Sequence, residues 1–278
     1  MRNLIVVLLF TANAALAAGP DTCSINWSYD RTASNGPANW GTFFAEYDTC
    51  SLGEEQTPVD LSGAPYDPAN PTMAMNPDTV RIAVEKLPYT LEVLPATKGG
   101  TLGTIEIEGA VYDILQFHFH GPSEHLLRGR SFPLEMHWVT RRVTTPTPGS
   151  QIPADLAVFG VMITPGAENV GLKPVISLIP SAPISPSRAC PSNDSEGAVS
   201  MRAILAAFDP RFLYTYRGSL TTPPCTQGVR WIVASAPLEF SQDQIDAILR
   251  AMPPRGNARP RQTLHGRTIT VGGRYTLR

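Results

Sequence analysis

LQFHFHGPSEH, residues 115–125, holds three of the chain's five histidines within eleven positions. Tyr112 to His120 reads as a strand, and on a strand alternate side chains share a face. Gln116, His118 and His120 therefore point one way while Phe117 and Phe119 point the other. LEMHWVT, residues 134–140, repeats the pattern, with Glu135, His137 and Val139 on one face and Met136 and Trp138 opposite. If the two strands pair antiparallel, His118, His120 and His137 converge. Three neutral imidazoles with a fourth position open is the donor set of catalytic zinc, whereas structural zinc closes its shell with four protein ligands, usually including thiolates.

A ligating imidazole usually gives its second N–H to a carboxylate, amide or carbonyl, which fixes tautomer and ring orientation. Gln116 and Glu135 each precede a proposed ligand by two residues on the same face and suit that role. One strand histidine alone is ordinarily a hydrogen-bonded core residue; the trio with two polar partners asks for more. His125 stands outside the alternation, between a structural hydrogen bond and no special role, and His265 in the C-terminal segment reads as incidental.

Outward from this centre the chain is built of strands and turns. Its 27 prolines and 22 glycines are scattered, which breaks 278 residues into short elements. Strands are expected at Arg81–Val84, Thr90–Leu94, Thr104–Glu108, Tyr112–His120, Leu134–Thr140, Leu156–Ile163 and Val229–Ala234. Helices are expected at Val199–Phe208 and Gln242–Met252, the latter opened by a Ser241/Gln244 capping box. The Pro-rich stretches Thr144–Pro153 and Ser181–Ser192 lack apolar periodicity and read as surface loops.

Residues 1–17, with Arg2, an apolar run Leu4–Phe10 and the small-x-small Ala15-Leu16-Ala17, read as a cleaved secretory leader. The apolar run is too short for a membrane span, and no later stretch approaches the roughly 20 apolar residues one needs. The remaining 278 − 17 = 261 residues, 18–278, suit one β-rich domain. Four cysteines (23, 50, 190, 225) in an exported chain without C-x-x-C favour disulfides, and spacing leaves all three pairings open. A net charge of −2 gives no reason to expect nucleic acid. The end of the chain is nevertheless basic: seven arginines and no acid follow Asp246, a solvated or internally paired segment rather than an anion-binding tail.

YDILQFHFHGPSEH, PLEMHWV and YRGSLTTPPCTQGVRW, in this order, closely resemble the alpha-class carbonic anhydrases. NWSYD, NGPANWG, EEQTPVDL, LAVFGV and NARPRQTLHGR extend the resemblance over nearly the whole mature chain. It implies a single domain, mainly β with peripheral helices, around a large twisted, mostly antiparallel sheet with zinc at the bottom of a conical cavity. It implies reversible hydration of carbon dioxide, with His118, His120 and His137 as zinc ligands. Thr221 matches the hydroxyl that accepts a hydrogen bond from the nucleophile and donates its own to Glu124. Val139, Val158, Leu220 and Trp231 match the apolar wall where carbon dioxide rests. Cys50 and Cys225 match the family's exported disulfide, leaving Cys23 with Cys190. Sulfonamide and anion inhibitors are expected, and a homodimer is allowed. The compact leader and the short HGPSEH junction look bacterial, hence periplasmic or secreted.

One departure concerns protons. Tyr89 stands where fast family members carry a shuttle histidine, and a phenol of pKa about 10 is a poor carrier at neutral pH. Leu87 and Glu92 replace amides of the polar wall, and Glu92 is an alternative carrier. External buffer is therefore expected to limit turnover. Esterase action is a side activity the same chemistry allows, although no acyl pocket is visible. A catalytically silent binding protein on this scaffold would have lost a ligand or the threonine; this chain keeps His118, His120, His137, Glu124 and Thr221.

Overall fold

The computed structural model describes residues 25–143, 156–181, 196–206 and 208–278. The leader, Cys23, Cys190 and the two Pro-rich loops, Ser181 excepted, lie outside the described residues. In the first half of the chain the strands are β1 (Met73–Pro77), β2 (Thr79–Lys86), β3 (Leu91–Pro95), β4 (Gly103–Ile107), β5 (Ala110–His120) and β6 (Leu134–Arg142). The second half adds β7 (Leu156–Pro165), β8 (Glu196–Ser200), β9 (Leu213–Ser219), β10 (Gln227–Ala234), β11 (Leu238–Phe240), β12 (Thr270–Gly272) and β13 (Tyr275–Leu277). The helices are short: α1 (Trp40–Phe43), α2 (Thr49–Leu52), α3 (Lys173–Ser177), α4 (Met201–Leu205) and α5 (Gln242–Ala251).

All strands join one sheet whose main path runs β12-β9-β10-β7-β6-β5-β3-β2-β8. The sheet is mixed: β10–β7, β11–β7 and β1–β13 are parallel, and the other pairings described are antiparallel. β6 lies near the middle and is buried from Leu134 to Thr140, as a strand covered on both faces must be. On one face Phe117, Phe119, Met136, Trp138 and Phe159 enter the main core. Fully burying such a side chain contributes about 1.5–3 kcal/mol. On the other, Val139, Val158, Tyr216 and Trp231 form a second cluster.

The register on β5 depends on one irregularity. Pairing with β6 slips between Ile114 and Gln116, so that Leu115 is an extra residue and Leu115 and Gln116 are both half-buried. Because side chains alternate with period two, the bulge exchanges the faces. Tyr112 and Ile114 enter the core before it, Phe117 and Phe119 after it, and the histidines turn to the opposite side.

Each expected strand is present, extended at one or both ends or shifted by a residue. The Val199–Phe208 helix is corrected: Val199 pairs with Val80 as part of β8, Ser200 caps the Ala203 N–H, and helix runs only over Met201–Leu205. A capping serine needs extended backbone, so the helix cannot begin before it. Helix α5 carries both hydrogen bonds of the capping box and turns Ile245, Ile248 and Ala251 into the core. No helix among the described residues is long and apolar enough to cross a membrane.

Candidate metal centre

Strand pairing sets His118 directly opposite His137, and His120 opposite Glu135. One ring nitrogen from each of His118, His120 and His137 lies within 4.8 Å of the other two. Which nitrogen faces inward follows from the outer partners. His118 Nδ1 lies 2.8 Å from Gln116 Oε1, His120 Nδ1 lies 2.8 Å from the Asn257 carbonyl, and His137 Nε2 lies 2.7 Å from Glu135 Oε1. These oxygens accept, so the facing nitrogens carry the protons. The lone pairs of His118 Nε2, His120 Nε2 and His137 Nδ1 are left on the inner side.

Burial keeps the imidazoles neutral. It holds His118 well below its ordinary value, lowers His120 to about 4 and lowers His137 against the pull of Glu135. His118 Nε2 and His120 Nε2 approach to 3.1 Å with no proton to share. A tetrahedral shell with metal–nitrogen bonds of about 2.0–2.1 Å sets its donors about 3.3 Å apart, a spacing that the 3.1 Å between His118 Nε2 and His120 Nε2 matches.

Behind the imidazoles lies a carboxylate that a buried cation would balance. Burial alone would raise Glu135, but His125 and His137 hold it well below the carboxylate range. Its Oε2 accepts the backbone N–H groups of Glu124 (2.8 Å) and His125 (2.9 Å), and its Oε1 also meets His125 Nδ1 at 2.6 Å. The Tyr216 hydroxyl then spans His125 Nε2 at 2.6 Å and Thr57 Oγ1 at 3.2 Å. His125, Glu135 and His137 also fall within ligand distance of one another. Their polar atoms are engaged with each other, so they form an orienting network. His125 thus resolves into a structural hydrogen-bonding role.

Glu124 is buried, and desolvation raises it to about 7 against the opposing pull of His137, the Arg259 N–H and the Thr221 hydroxyl. Its Oε1 accepts the Arg259 N–H at 2.8 Å, and its Oε2 is buried without a hydrogen bond of its own. Thr221 is buried beside it, two residues past the end of β9. Val139, Val158 and Trp231 share one cluster with Leu220 packed against it, and the Trp231 ring centres 4.8 Å from that of His137. The Thr221 loop is tied down by the Cys50–Cys225 disulfide and by Gln56 Nε2 donating to the Cys225 carbonyl.

Tyr89 meets this constellation through its backbone carbonyl, which accepts from Asn257 Nδ2 at 2.9 Å. It packs against Trp27 with ring centroids 5.4 Å apart, in a cluster with Tyr29 and Trp40. Burial, with Glu92 and Glu85 adding to it, pushes its phenol above the ordinary tyrosine value.

Two contributors carry no signal in the sequence pattern. Asn257 accepts from His120 through its backbone carbonyl, while its side chain bonds Gly121 N, Tyr89 O and Phe119 O. A carbonyl partner leaves no residue-type signal, since any amino acid supplies one. Arg259 fixes Glu124 through its N–H and sends its guanidinium to Thr57 O and Cys50 O, over the Trp40 ring. Arg267 reaches four carbonyls, and Arg278 pairs with Glu106, so much of the basic end is satisfied internally.

The family model described as eukaryotic-type carbonic anhydrase matches residues 35–272. The carbonic anhydrase of Pectobacterium atrosepticum is 32% identical over 274 residues, covering 97% of this chain and 99% of that protein. Among solved structures, the alpha-carbonic anhydrase of Thermovibrio ammonificans, in complex with the inhibitor sulfanilamide, is 30% identical with a TM-score of 0.70. It covers 88% of this chain and 98% of that one. Dioscorin complexed with ascorbate is 26% identical with a TM-score of 0.75, covering 90% and 99%. A sheet with three convergent imidazoles and a match over most of the length together place the chain: it belongs to the eukaryotic-type, or alpha, carbonic anhydrase family.

Proposed function

We propose that this carbonic anhydrase family member hydrates carbon dioxide reversibly with zinc held by His118 Nε2, His120 Nε2 and His137 Nδ1. The observation that carries the reading is the convergence of three proton-free nitrogens, two of them 3.1 Å apart. Zinc, when bound, lowers the pKa of water to about 7 and so supplies a nucleophile at neutral pH, an effect for which carbonic anhydrase is itself the standard example. The chain does the rest. Gln116, Asn257 and Glu135 hold the three rings in their tautomers. Thr221, next to Glu124, orients the nucleophile by accepting its proton's hydrogen bond, and Val139, Val158, Leu220 and Trp231 offer carbon dioxide a dry wall. Thr221→Val is expected to lower kcat/KM by about 10²–10³-fold, the usual cost of one preorganised hydrogen-bonding group, with bound zinc retained by elemental analysis.

Residues 18–278 act as one catalytic domain exported by the leader 1–17, to the periplasm or outside the cell. The Cys50–Cys225 bond among the described residues favours that oxidising setting. Esterase activity accompanies hydration, and a homodimer is compatible with the role. The similarity to dioscorin raises a second reading, a binding protein without turnover. Metal content together with carbon dioxide hydration, with and without a sulfonamide, separates these. Zinc with sulfonamide-sensitive hydration supports the proposal; a metal-loaded but inactive protein overturns it.

Proton exit is the step at which this chain departs from fast relatives. Tyr89, packed on Trp27 and with its phenol pushed upward, cannot exchange protons at neutral pH. Turnover is therefore expected to rise with buffer concentration, and Tyr89→His to flatten that dependence. A wild type that turns over fast without buffer refutes this route.

A further inference from the structure

The wall beside the proposed metal centre carries two acids that the chemistry above leaves unused. Glu92 of β3 stands opposite His118 of β5, and Glu85 of β2 stands opposite Glu92. Directly opposed residues of an antiparallel ladder share a face, so both carboxylates extend outward from His118 on the imidazole side. Opposed like charges are destabilising, and here neither acid makes an ion pair among the described residues. Tyr89 lies within the field of both. The Tyr29 hydroxyl, which feels Tyr89 and Glu124, is buried without a hydrogen-bond partner among the described residues and so retains its capacity for one.

The position that would hold a mobile histidine is thus filled by a phenol packed on Trp27, next to two carboxyl groups in register. Resting on the proposed hydration and its dependence on external buffer, we propose that Glu92 and Glu85, on the imidazole face beside His118, make the site select its proton acceptor by charge. Bases that arrive neutral and leave cationic, such as imidazoles, are favoured over bases that arrive as anions, such as phosphate. In the transfer a water O–H bond breaks, an N–H bond forms at the lone pair of the base, and the new positive charge appears beside two carboxylates. An anionic base meets repulsion on approach and gains no such stabilisation. A cleft lined by one sign of charge shifts encounter rates by roughly 10–10³-fold, so about tenfold discrimination is expected.

The test is stopped-flow turnover of the zinc-loaded enzyme at about pH 8. A series of imidazoles is compared with phosphate and other anionic buffers of matched pKa. Wild type should gain about tenfold more turnover per unit of imidazole base; Glu92→Gln and Glu85→Gln should each narrow the ratio, and Glu85→Lys should turn it toward phosphate. Saturation-transfer NMR of imidazole on the holoenzyme, with the metal occupied by a small sulfonamide, should show contact that weakens in the double glutamine variant. Thermal unfolding verifies that each variant is folded. Equal efficiency of the two buffer types in wild type, or a preference surviving in the folded double variant, overturns charge selection while the buffer requirement stands. Turnover independent of every buffer overturns the requirement itself and the selection with it.

Discussion

His137→Ala is expected to leave the protein without bound zinc and without carbon dioxide hydration. Zinc binding at four ligands is worth about 10–16 kcal/mol, so one ligand accounts for about 3–4 kcal/mol, or roughly 10²–10³ in affinity. The loss here extends further, because His137 also anchors the orienting network. Its Nε2–H is one of four donors on the Glu135 carboxylate, and Glu135 in turn engages His125. Glu135→Gln is the graded comparison: the ligand remains, its partner changes, and metal affinity should fall about 10–100-fold. Elemental analysis after dialysis against a chelator reads the affinity, and the rise of Tm on adding zinc gives a second measure that needs no catalysis. A His137→Ala protein that keeps stoichiometric zinc and hydrates carbon dioxide would show that the three imidazoles are not the metal site.

The Cys50→Ala/Cys225→Ala double variant is expected to show the largest loss of stability of any change away from the centre. The bond closes a loop with a sequence separation of 175 residues, and chain-entropy reasoning assigns such a loop about 5 kcal/mol. For a chain of this size that is about 10 °C in Tm. Activity should fall as well, because the bond ties α2 to the Thr221 loop. The hydrogen bonds from Gln56 to the Cys225 carbonyl and from Arg259 to the Cys50 carbonyl meet at the same junction. Calorimetry and hydration assays on the double variant read the two effects separately. Unchanged melting and unchanged kcat/KM would mean that the remaining contacts hold the loop unaided.

Much of the centre is legible in the sequence because its residues act through side-chain type and spacing. The alternation Gln116-x-His118-x-His120 and Glu135-x-His137 on two apolar-backed strands places the three imidazoles and their polar partners on one face wherever those strands pair. The capping box of α5 is local for the same reason, both hydrogen bonds lying within four residues. β12 and β13, three residues each, are too short for periodicity to register. β9 does alternate Tyr214 and Tyr216 with Thr215 and Arg217, yet it lies outside the seven expected strands.

What the chain determined by itself was the chemistry on offer: imidazoles, acids and apolar rings at strand spacing, in the order shared by a family. Tertiary structure alone decided which atoms meet. Leu115 had to be extra in the ladder before Phe117 and Phe119 could enter the same core as Tyr112 and Ile114 and leave the histidines on the other face. Asn257 and Arg259 had to return across more than a hundred residues to place a carbonyl on His120 and an N–H on Glu124. Backbone groups are the same at every position, so their use depends only on where the fold brings them. That is why the proposed ligand trio could be named from eleven residues and a second strand, while Asn257, whose carbonyl meets His120, could not.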